Sequence, residues 1–443
     1  MSFSYAQDLF PLTAAVLAAL VCGILGNFLV LRRLSLMGDA ISHSVLPGLV
    51  VAFLIAGSRS TGAMLVGATL AGIATVALVE LVKRLGRVEP GAAMGVVFSI
   101  LFATGVLLIE RASVRQVDLD ADCVLHGQLE TLAWYDAPAT LAGVLDMQTL
   151  AAIPVQITTL AATLMLVVIC TVVLFKELRL AAFDGALSTS LGFHAGALHV
   201  VLMVLVAIAT VASFEAVGSI LVIAMLICPA ATARLLTDRL GTQIAVSIGV
   251  AIASAVGGYV GATLVPGAFG LDSVNAAGSM TVVAGALLFG AAILSPSHGV
   301  VAAGLRRRRV AKRVLVDDML AALYRQRERG EQGVPIARLQ SILAPRPVKP
   351  AIASTAREGL VQRAGDDIAL TATGEQAAAA VIRSHRLWET YLVEEAGLAS
   401  DHVHTTAAQL EHVGINPPID AARDPHGKPV PRAAAEDSTR PGR

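Results

Sequence analysis

The segment "MGDAISHSVLPG", residues 37 to 48, sets Asp39 and His43 one helical turn apart in a chain otherwise dominated by Leu, Val, Ala and Gly. Side chains at i and i+4 share one face of a helix. A carboxylate and an imidazole presented together form a ligand pair suited to a divalent transition ion such as Mn, Fe or Zn. Glu215, in "SFEAVGSILVIAMLICPAATARLL", is a third ionisable group near the start of another apolar run. Placing a charged side chain at the centre of a bilayer costs about 2.5 to 3.5 kcal/mol, so each of these residues needs a partner or a role. Spacing alone leaves a plainer reading open. Asp39 lies close to Arg32 and Arg33 and could be a solvated cap or an ion pair, and a lone membrane His could be hydrogen-bonded to a neighbour.

The elements that must carry these residues follow from composition. Of 443 residues, 55% are apolar, 15% charged and 4% aromatic, and mean hydropathy is +0.71. Few soluble domains have such values. Charge is unevenly distributed: 28 of the Asp, Glu, Lys and Arg residues fall in the first 304 positions and 38 in the last 139. One part is therefore built for lipid and one for water. With a net charge of +0, nothing at whole-chain level points to nucleic acid. Cys22, Cys123, Cys170 and Cys228 form no CxxC pair, and three of them lie within apolar runs as small hydrophobes. "MSFSYAQDLF" lacks the basic region of a cleaved signal, so the first apolar run is expected to be a retained membrane helix.

Runs long enough to cross a bilayer, about 20 residues each, occur near 12–31, 40–57, 62–82, 91–109, 156–175, 197–213, 216–236, 243–265 and 278–295. These predict about nine transmembrane helices. Lys and Arg cluster after every odd span, at Arg32 and Arg33, at Lys83, Arg84 and Arg87, at Lys176 and Arg179, at Arg234 and Arg239, and at Arg306 to Arg309. Because short cytoplasmic loops collect positive charge, those ends are expected in the cytoplasm. The half-apolar segment around 118–155 is a candidate interfacial or re-entrant element. From about 310 the pattern turns to amphipathic helices in the order helix, helix, helix, short strand pair, long helix. That order reads as a cytoplasmic winged helix leading into a second helical unit. The expected division is a membrane domain over 1–304, a soluble domain over 305–425 and a largely disordered tail over 426–443, rich in Pro, Arg and Asp. The fold class is thus an all-α polytopic membrane protein with an appended winged-helix plus helical domain.

Several motifs in order carry a family resemblance. "LGNFLVLRRLSLMGDAISHSVLPG", "FKELRLAAFDGALSTSLGF" and "FEAVGSILVIAMLICPAATARLLTDRL" together resemble the permease family of ATP-driven importers for zinc, manganese and iron, over about residues 10 to 300. The resemblance implies that Asp39, His43 and Glu215 pass the metal through the membrane. It also implies that the segment holding Glu177, Phe183 and Asp184 is the cytoplasmic surface that couples to an ATPase. The chain has no GxxxxGK[ST]; its Gly427-Lys428 is followed by Pro429, so it cannot cradle nucleotide phosphates itself. A separate ATPase subunit, an external metal-binding protein and a second permease, identical or related, are the partners implied. The location implied is a bacterial inner membrane, with no permanently bound cofactor and a divalent metal as cargo.

The last part is similar to the iron- and manganese-dependent repressor family, including the ending "LEHV...DPHGKPVP". By that resemblance His385, Glu389, His404, Glu411 and His412 fall on metal-site positions, and Asp318 on an N-terminal ligand of manganese-type members. The chemistry agrees, since His385 and Glu389 stand at i and i+4 and His404, Glu411 and His412 span two turns of the next helix. Two positions depart from the pattern: Ala408 replaces a Cys or Glu ligand and Ala321 a second N-terminal carboxylate. The plainer alternative is a helical dimerisation domain with surface histidines. Arg346, Lys349 and Arg357 give the region that would meet DNA some basic character, but Pro345, Pro347 and Pro350 are expected to truncate its helix start. A domain tethered to a membrane also reaches operators poorly. Regulation of transport by metal is therefore preferred over DNA binding, with a membrane-tethered metal-responsive transcriptional regulator as the rival and a proton-coupled carrier as a third reading.

Overall fold

The computed structural model describes residues 5–34, 37–57, 61–113, 129, 132, 153–263, 265–268, 274–413 and 415–432. The proposed re-entrant segment and Cys123 lie almost wholly outside these residues. The chain divides into two compact units, Met1–Ala302 and Ala303–Arg443.

In the first unit, nine helical spans among the described residues are long and apolar enough to cross a membrane, and they coincide with the nine apolar runs. The elements are α1 (Tyr5–Leu31), α2 (Met37–Ser44), α3 (Leu46–Ala56), α4 (Thr61–Gly86), α5 (Pro90–Ser113), α6 (Val155–Val173), α7 (Phe175–Phe183), α8 (Gly185–Ser190), α9 (Ala195–Val217), α10 (Ser219–Leu236), α11 (Leu240–Thr263), α12 (Val265–Ala268) and α13 (Ala276–Leu294). The central helix is α1, which packs against α6, α9, α10 and α11 and buries Leu25, Phe28 and Leu29 completely. Lipid tails are as apolar as Leu, so helices in a membrane are held by close van der Waals packing and by polar contacts, and small residues let backbones approach. Gly26 illustrates this, because a Cβ there would stand 2.0 Å from the Leu226 carbonyl oxygen of α10. The hydroxyl of Ser247 donates to the Gly23 carbonyl at 2.9 Å, tying α11 to the same helix.

The second span is interrupted. Its two pieces, α2 and α3, meet at Val45, because Pro47 has no N–H to offer the carbonyl of His43 one turn back. The break is packed: Ser44 Oγ lies 2.6 Å from Thr75 Oγ1 on α4, and α2 is held against α4, α5, α9 and α10.

The second unit, described by itself, begins within α14 (Val300–Glu328) and continues through β1 (Val334–Pro335), α15 (Ile336–Ile342), α16 (Lys349–Arg357), β2 (Val361–Ala364), β3 (Asp367–Leu370), α17 (Ala372–Glu394), α18 (His404–Leu410) and a 3-10 turn, Glu411–Val413. The expected strand pair is present as an antiparallel hairpin, β2 with β3, closed by Gly365 at φ 65°. The two-residue β1 adds to its other edge, giving the order β1-β3-β2. Met319, Leu339, Val348, Ala351, Ile368 and Ala378 form the core where the helices meet the sheet. Pro350 lies in the first turn of α16, where its missing N–H has no intrahelical partner to lose. It marks the start of a nine-residue helix rather than breaking one.

At the start of α17, Thr371 accepts a hydrogen bond from Gly374 N at 3.0 Å, an N-cap. Farther along α17 the buried Arg386 reaches Glu328 at 2.7 Å and the Pro429 carbonyl at 2.5 Å. Residues 426–432 are therefore ordered, in contrast with the disorder expected for the tail. The Asp424 N–H donates to the Lys428 carbonyl, closing a turn that packs on this arginine. Residues from 433 onward lie outside the described residues.

Candidate metal sites

In the first unit α2 presents Asp39 and His43 on one face, with His43 Nε2 3.3 Å from Asp39 Oδ1. Both side chains are half-buried, at 29% and 39% exposure for His43 and Asp39, so the pair is neither sealed in the core nor free in the surroundings. The imidazole is flanked by two rings of α5: Phe98 at 5.2 Å between centroids, and Phe102 edge-on at 6.0 Å. These contacts restrict the ring and leave the carboxylate and imidazole side by side on one face of α2. Apolar periodicity does not disclose the aromatic flank, because Phe98 and Phe102 read as ordinary members of a greasy span.

Glu215 occupies a different place from the one the sequence suggests. It lies near the end of α9, three residues before Gly218, rather than at the start of the following span. Gly218, at φ 79°, separates α9 from α10, a conformation in which L side chains are rare. Glu215 is half-buried, and both helices flanking the break pack against α2. Among the described residues, the groups of three or more ligand side chains with donor atoms within 4.8 Å all lie in the second unit. The structure thus joins Asp39 to His43 and does not bring Glu215 into that cluster.

The segment with Glu177, Phe183 and Asp184 forms two short helices, α7 and α8. Asp184 separates them and caps α8, accepting from Ala186 N at 3.0 Å and Leu187 N at 2.9 Å. Phe183 is 57% exposed, whereas Glu177 has a buried carboxylate oxygen without a hydrogen-bond partner. The pair of helices presents an apolar tip beside a cap, with Leu178 buried beneath it.

In the second unit five of the six sensor candidates, Asp318, His385, Glu389, His404 and Glu411, line one open cleft of about 530 Å³, and the sixth, His412, is grouped with two of them, Asp318 and Glu411. On α17, His385 Nε2 stands 2.9 Å from Glu389 Oε1, and His404 from α18 meets the same carboxylate through Nδ1. These three residues form one ligand group, and Asp318, Glu411 and His412 form the second. A 2.5 Å contact between His385 Nδ1 and Glu411 Oε2 links the two. His412 Nε2 lies 3.1 Å from Asp318 Oδ1, and its Nδ1 lies 3.4 Å from Asp317 Oδ2. An ion about 2.0 to 2.2 Å from each ligand separates donor atoms by no more than roughly 4.4 Å, so either group needs only small adjustments to close on a metal.

The cleft neutralises its own carboxylates. His412 is pushed up to about 9, first by its hydrogen bonds to Asp317 and Asp318. Burial opposes charge on His385, but the Glu389 and Glu411 carboxylates outweigh it and hold the imidazole above its usual range. Burial likewise opposes charge on Asp318, yet His412 and Arg346 hold this carboxyl below its ordinary value. Arg346 Nη1 sits 2.5 Å from Asp318 Oδ2. Ala321 and Ala408, the two departures from the ligand pattern, both line the cleft. The sequence reading missed Asp317, and it placed Arg346 only among the basic residues of the region that would meet DNA. The "DD" pair was a visible signal for the first, but only the folded loop between α15 and α16 brings Arg346 to a carboxylate 28 residues earlier.

Comparison with known proteins places these features in a lineage. Residues 8–295 match the family described as ABC 3 transport family, and residues 371–415 match the iron dependent repressor, metal binding and dimerisation domain. The chain belongs to the ABC 3 transport family and is a multi-pass membrane protein. Among its relatives, the manganese transport system membrane protein MntD of Bacillus subtilis is 38% identical over 301 residues, covering 68% of this chain and 96% of that protein. The zinc transport system membrane protein TroD of Treponema pallidum is 34% identical over 365 residues, 81% of this chain and 95% of TroD. A solved structure, PsaBC from Streptococcus pneumoniae in complex with Fab, superposes with a TM-score of 0.52 at 26% identity, covering 67% of this chain and 94% of that one.

Proposed function

We propose that this protein is the permease subunit of an ATP-driven importer of divalent transition metal ions, Mn, Zn or Fe, in a bacterial inner membrane. The observation that carries the reading is the Asp39–His43 pair, a preformed carboxylate and imidazole within a broken membrane span. Two protein ligands hold an ion weakly enough to let it go again, the compromise that any conducting site must reach. Glu215, on a helix packed against α2, serves a neighbouring stage of the path. Hydrolysis of ATP belongs to a separate subunit, which docks on α7 and α8 through Phe183, Asp184 and the Glu177 carboxylate. An extracytoplasmic metal-binding protein delivers the ion, and a second permease copy or a paralogue completes the path. The names of the relatives, which are manganese, zinc and chelated iron transport proteins, support this reading.

The second unit is cytoplasmic in this reading, a winged-helix-like module followed by a metal-sensing module. His385, Glu389 and His404 would hold one ion, and Asp318, Glu411 and His412 another. The bound metal supplies a positive charge that replaces His412 and Arg346 as the counter-ion of the carboxylates, so occupancy reports metal abundance to the transporter. The test is ATP-dependent uptake of radiolabelled Mn, Zn and Fe into vesicles carrying the wild-type protein, His43→Ala, or a chain ending near residue 305. Uptake that persists in His43→Ala, or that needs a proton gradient and no ATP, would overturn the reading. Loss of metal dependence in the shortened chain would support the sensor role.

A further inference from the structure

One polar cluster of the first unit is left unexplained by the metal path. Arg32, at the end of α1, is half-buried and reaches inward rather than outward. Its Nη2 donates to the Ala181 carbonyl in the last turn of α7 at 3.2 Å, and its Nη1 lies 2.9 Å from His199 Nδ1 near the N-terminal end of α9. Carbonyls in the final turn of a helix lack intrahelical donors and carry the negative end of the helix dipole, so a guanidinium there is a charged C-terminal cap. Arginine has no acceptor atom, so His199 Nδ1 must accept from it. The imidazole proton then sits on Nε2, which is 3.7 Å from Glu80 Oε2 on α4. Glu80 is anchored in turn by Lys83 at 2.7 Å and Arg84 at 2.9 Å. An ordinary arginine at a membrane edge extends its charge towards water or headgroups. This one bridges to a backbone carbonyl 149 positions away.

Its position in the chain gives the cluster a consequence. Arg33 follows at φ 57°, an uncommon conformation for a residue other than glycine. The Leu34 N–H then closes back on the Leu29 carbonyl at 2.8 Å. The chain turns sharply there and enters α2, so Asp39 lies seven positions after Arg32. The other helices that the cluster joins, α4 and α9, are both packed against α2.

Resting on the reading that α7 docks on the ATPase, we infer that Arg32 is a positioning residue that transmits displacement of α7, through its Ala181 cap and the His199–Glu80 relay, to α4 and α9, the helices packed against the α2 that carries Asp39 and His43. The cluster works as a strut: when α7 moves, α1, α4 and α9 move with it.

The experiment uses the full chain together with the ATP-hydrolysing subunit that co-purifies with it, reconstituted into liposomes, and measures Mn(II) transported per ATP hydrolysed. Arg32→Ala should lower this ratio roughly tenfold or more, the scale of losing a charge-assisted hydrogen bond at the moving step, with ATP hydrolysis kept within about twofold of wild type. Arg32→Lys, which can cap Ala181 but cannot also span to His199, should fall between. Adding His199→Ala to Arg32→Ala should cost little more, since residues in one relay are not additive. An unchanged ratio in Arg32→Ala overturns the inference while leaving the importer reading intact. Parallel loss of ATP hydrolysis and complex yield in both Arg32 variants overturns it in favour of a purely structural contact. Failure of wild type to associate with any ATPase removes the importer reading, and this inference with it.

Discussion

Metal binding by the second unit should tighten about tenfold for each pH unit above neutrality, because an ion must displace a proton from His412. This imidazole is held at about 9 by Asp317 and Asp318, and its side chain is only 12% exposed. At pH 7 roughly one molecule in a hundred carries it in the neutral form that a metal requires, which costs about 2.7 kcal/mol of apparent binding free energy at 1.36 kcal/mol per unit. His385, also raised by its carboxylate partners, belongs to the other ligand group, so about one proton should leave for each ion bound beside His412. The assay is calorimetric titration of Mn(II) into full-length protein carrying His43→Ala, at pH 7.0, 7.5, 8.0 and 8.5, in buffers of differing ionisation enthalpy to count protons. The metal-free protein should respond in the opposite sense. A His pKa raised from 6.5 to about 9 stabilises the fold fully below pH 6.5. That contribution, of order 3 kcal/mol, is lost as pH rises through 9. Equal affinities at pH 7.0 and 8.5, or no protons released, would refute the claim that His412 is a ligand competing with its own proton.

Three further outcomes follow from the packing and the ion pairs. Arg346→Ala removes the cation resting on Asp318; since that arginine is half exposed, Mn(II) affinity at pH 7 should rise only about two- to fivefold, measured in the same titration. Gly26→Val puts a side chain where even a Cβ would stand 2.0 Å from the Leu226 carbonyl oxygen, so α1 and α10 must part. Its melting temperature in detergent should fall by several degrees, whereas Gly62→Ala, which meets nothing within 4 Å, should melt like wild type. Arg386→Ala leaves Glu328 and Asp424 without their shared guanidinium; breaking such a buried pair should cost about 3 to 5 kcal/mol in denaturant unfolding of the second unit.

Sequence and structure agree where the physics is local. A bilayer demands about 20 apolar residues per crossing, so hydropathy alone located the nine spans found among the described residues, and the i, i+4 spacing of Asp39 and His43 became a 3.3 Å contact. The second unit's helices and hairpin were legible from amphipathic periodicity, yet β1, at two residues, is shorter than any periodic signal. The sequence reading breaks the two spans at about 214–215, beside Glu215, whereas the helix continues to Val217 and stops at Gly218, because hydropathy cannot tell where a helix stops inside lipid. The interruption at Val45 was visible as Pro47, but its packing partner Thr75 was not. What stayed hidden depends on residues far apart in the chain: Arg32 on Ala181, Arg346 on Asp318, and Arg386 on Pro429. Each is an arginine that composition assigns to solvent and that folding turns inward to a carbonyl or carboxylate.

The measurement closest to the central claim is ATP-driven uptake of radiolabelled Mn(II) by Asp39→Asn, His43→Gln and the double variant, in vesicles with matched amounts of folded protein. Ion passage over the α2 pair requires each single variant to lose most of its uptake and the double variant to lose little more, since the two ligands act on one ion. Wild-type uptake in His43→Gln would contradict the account outright.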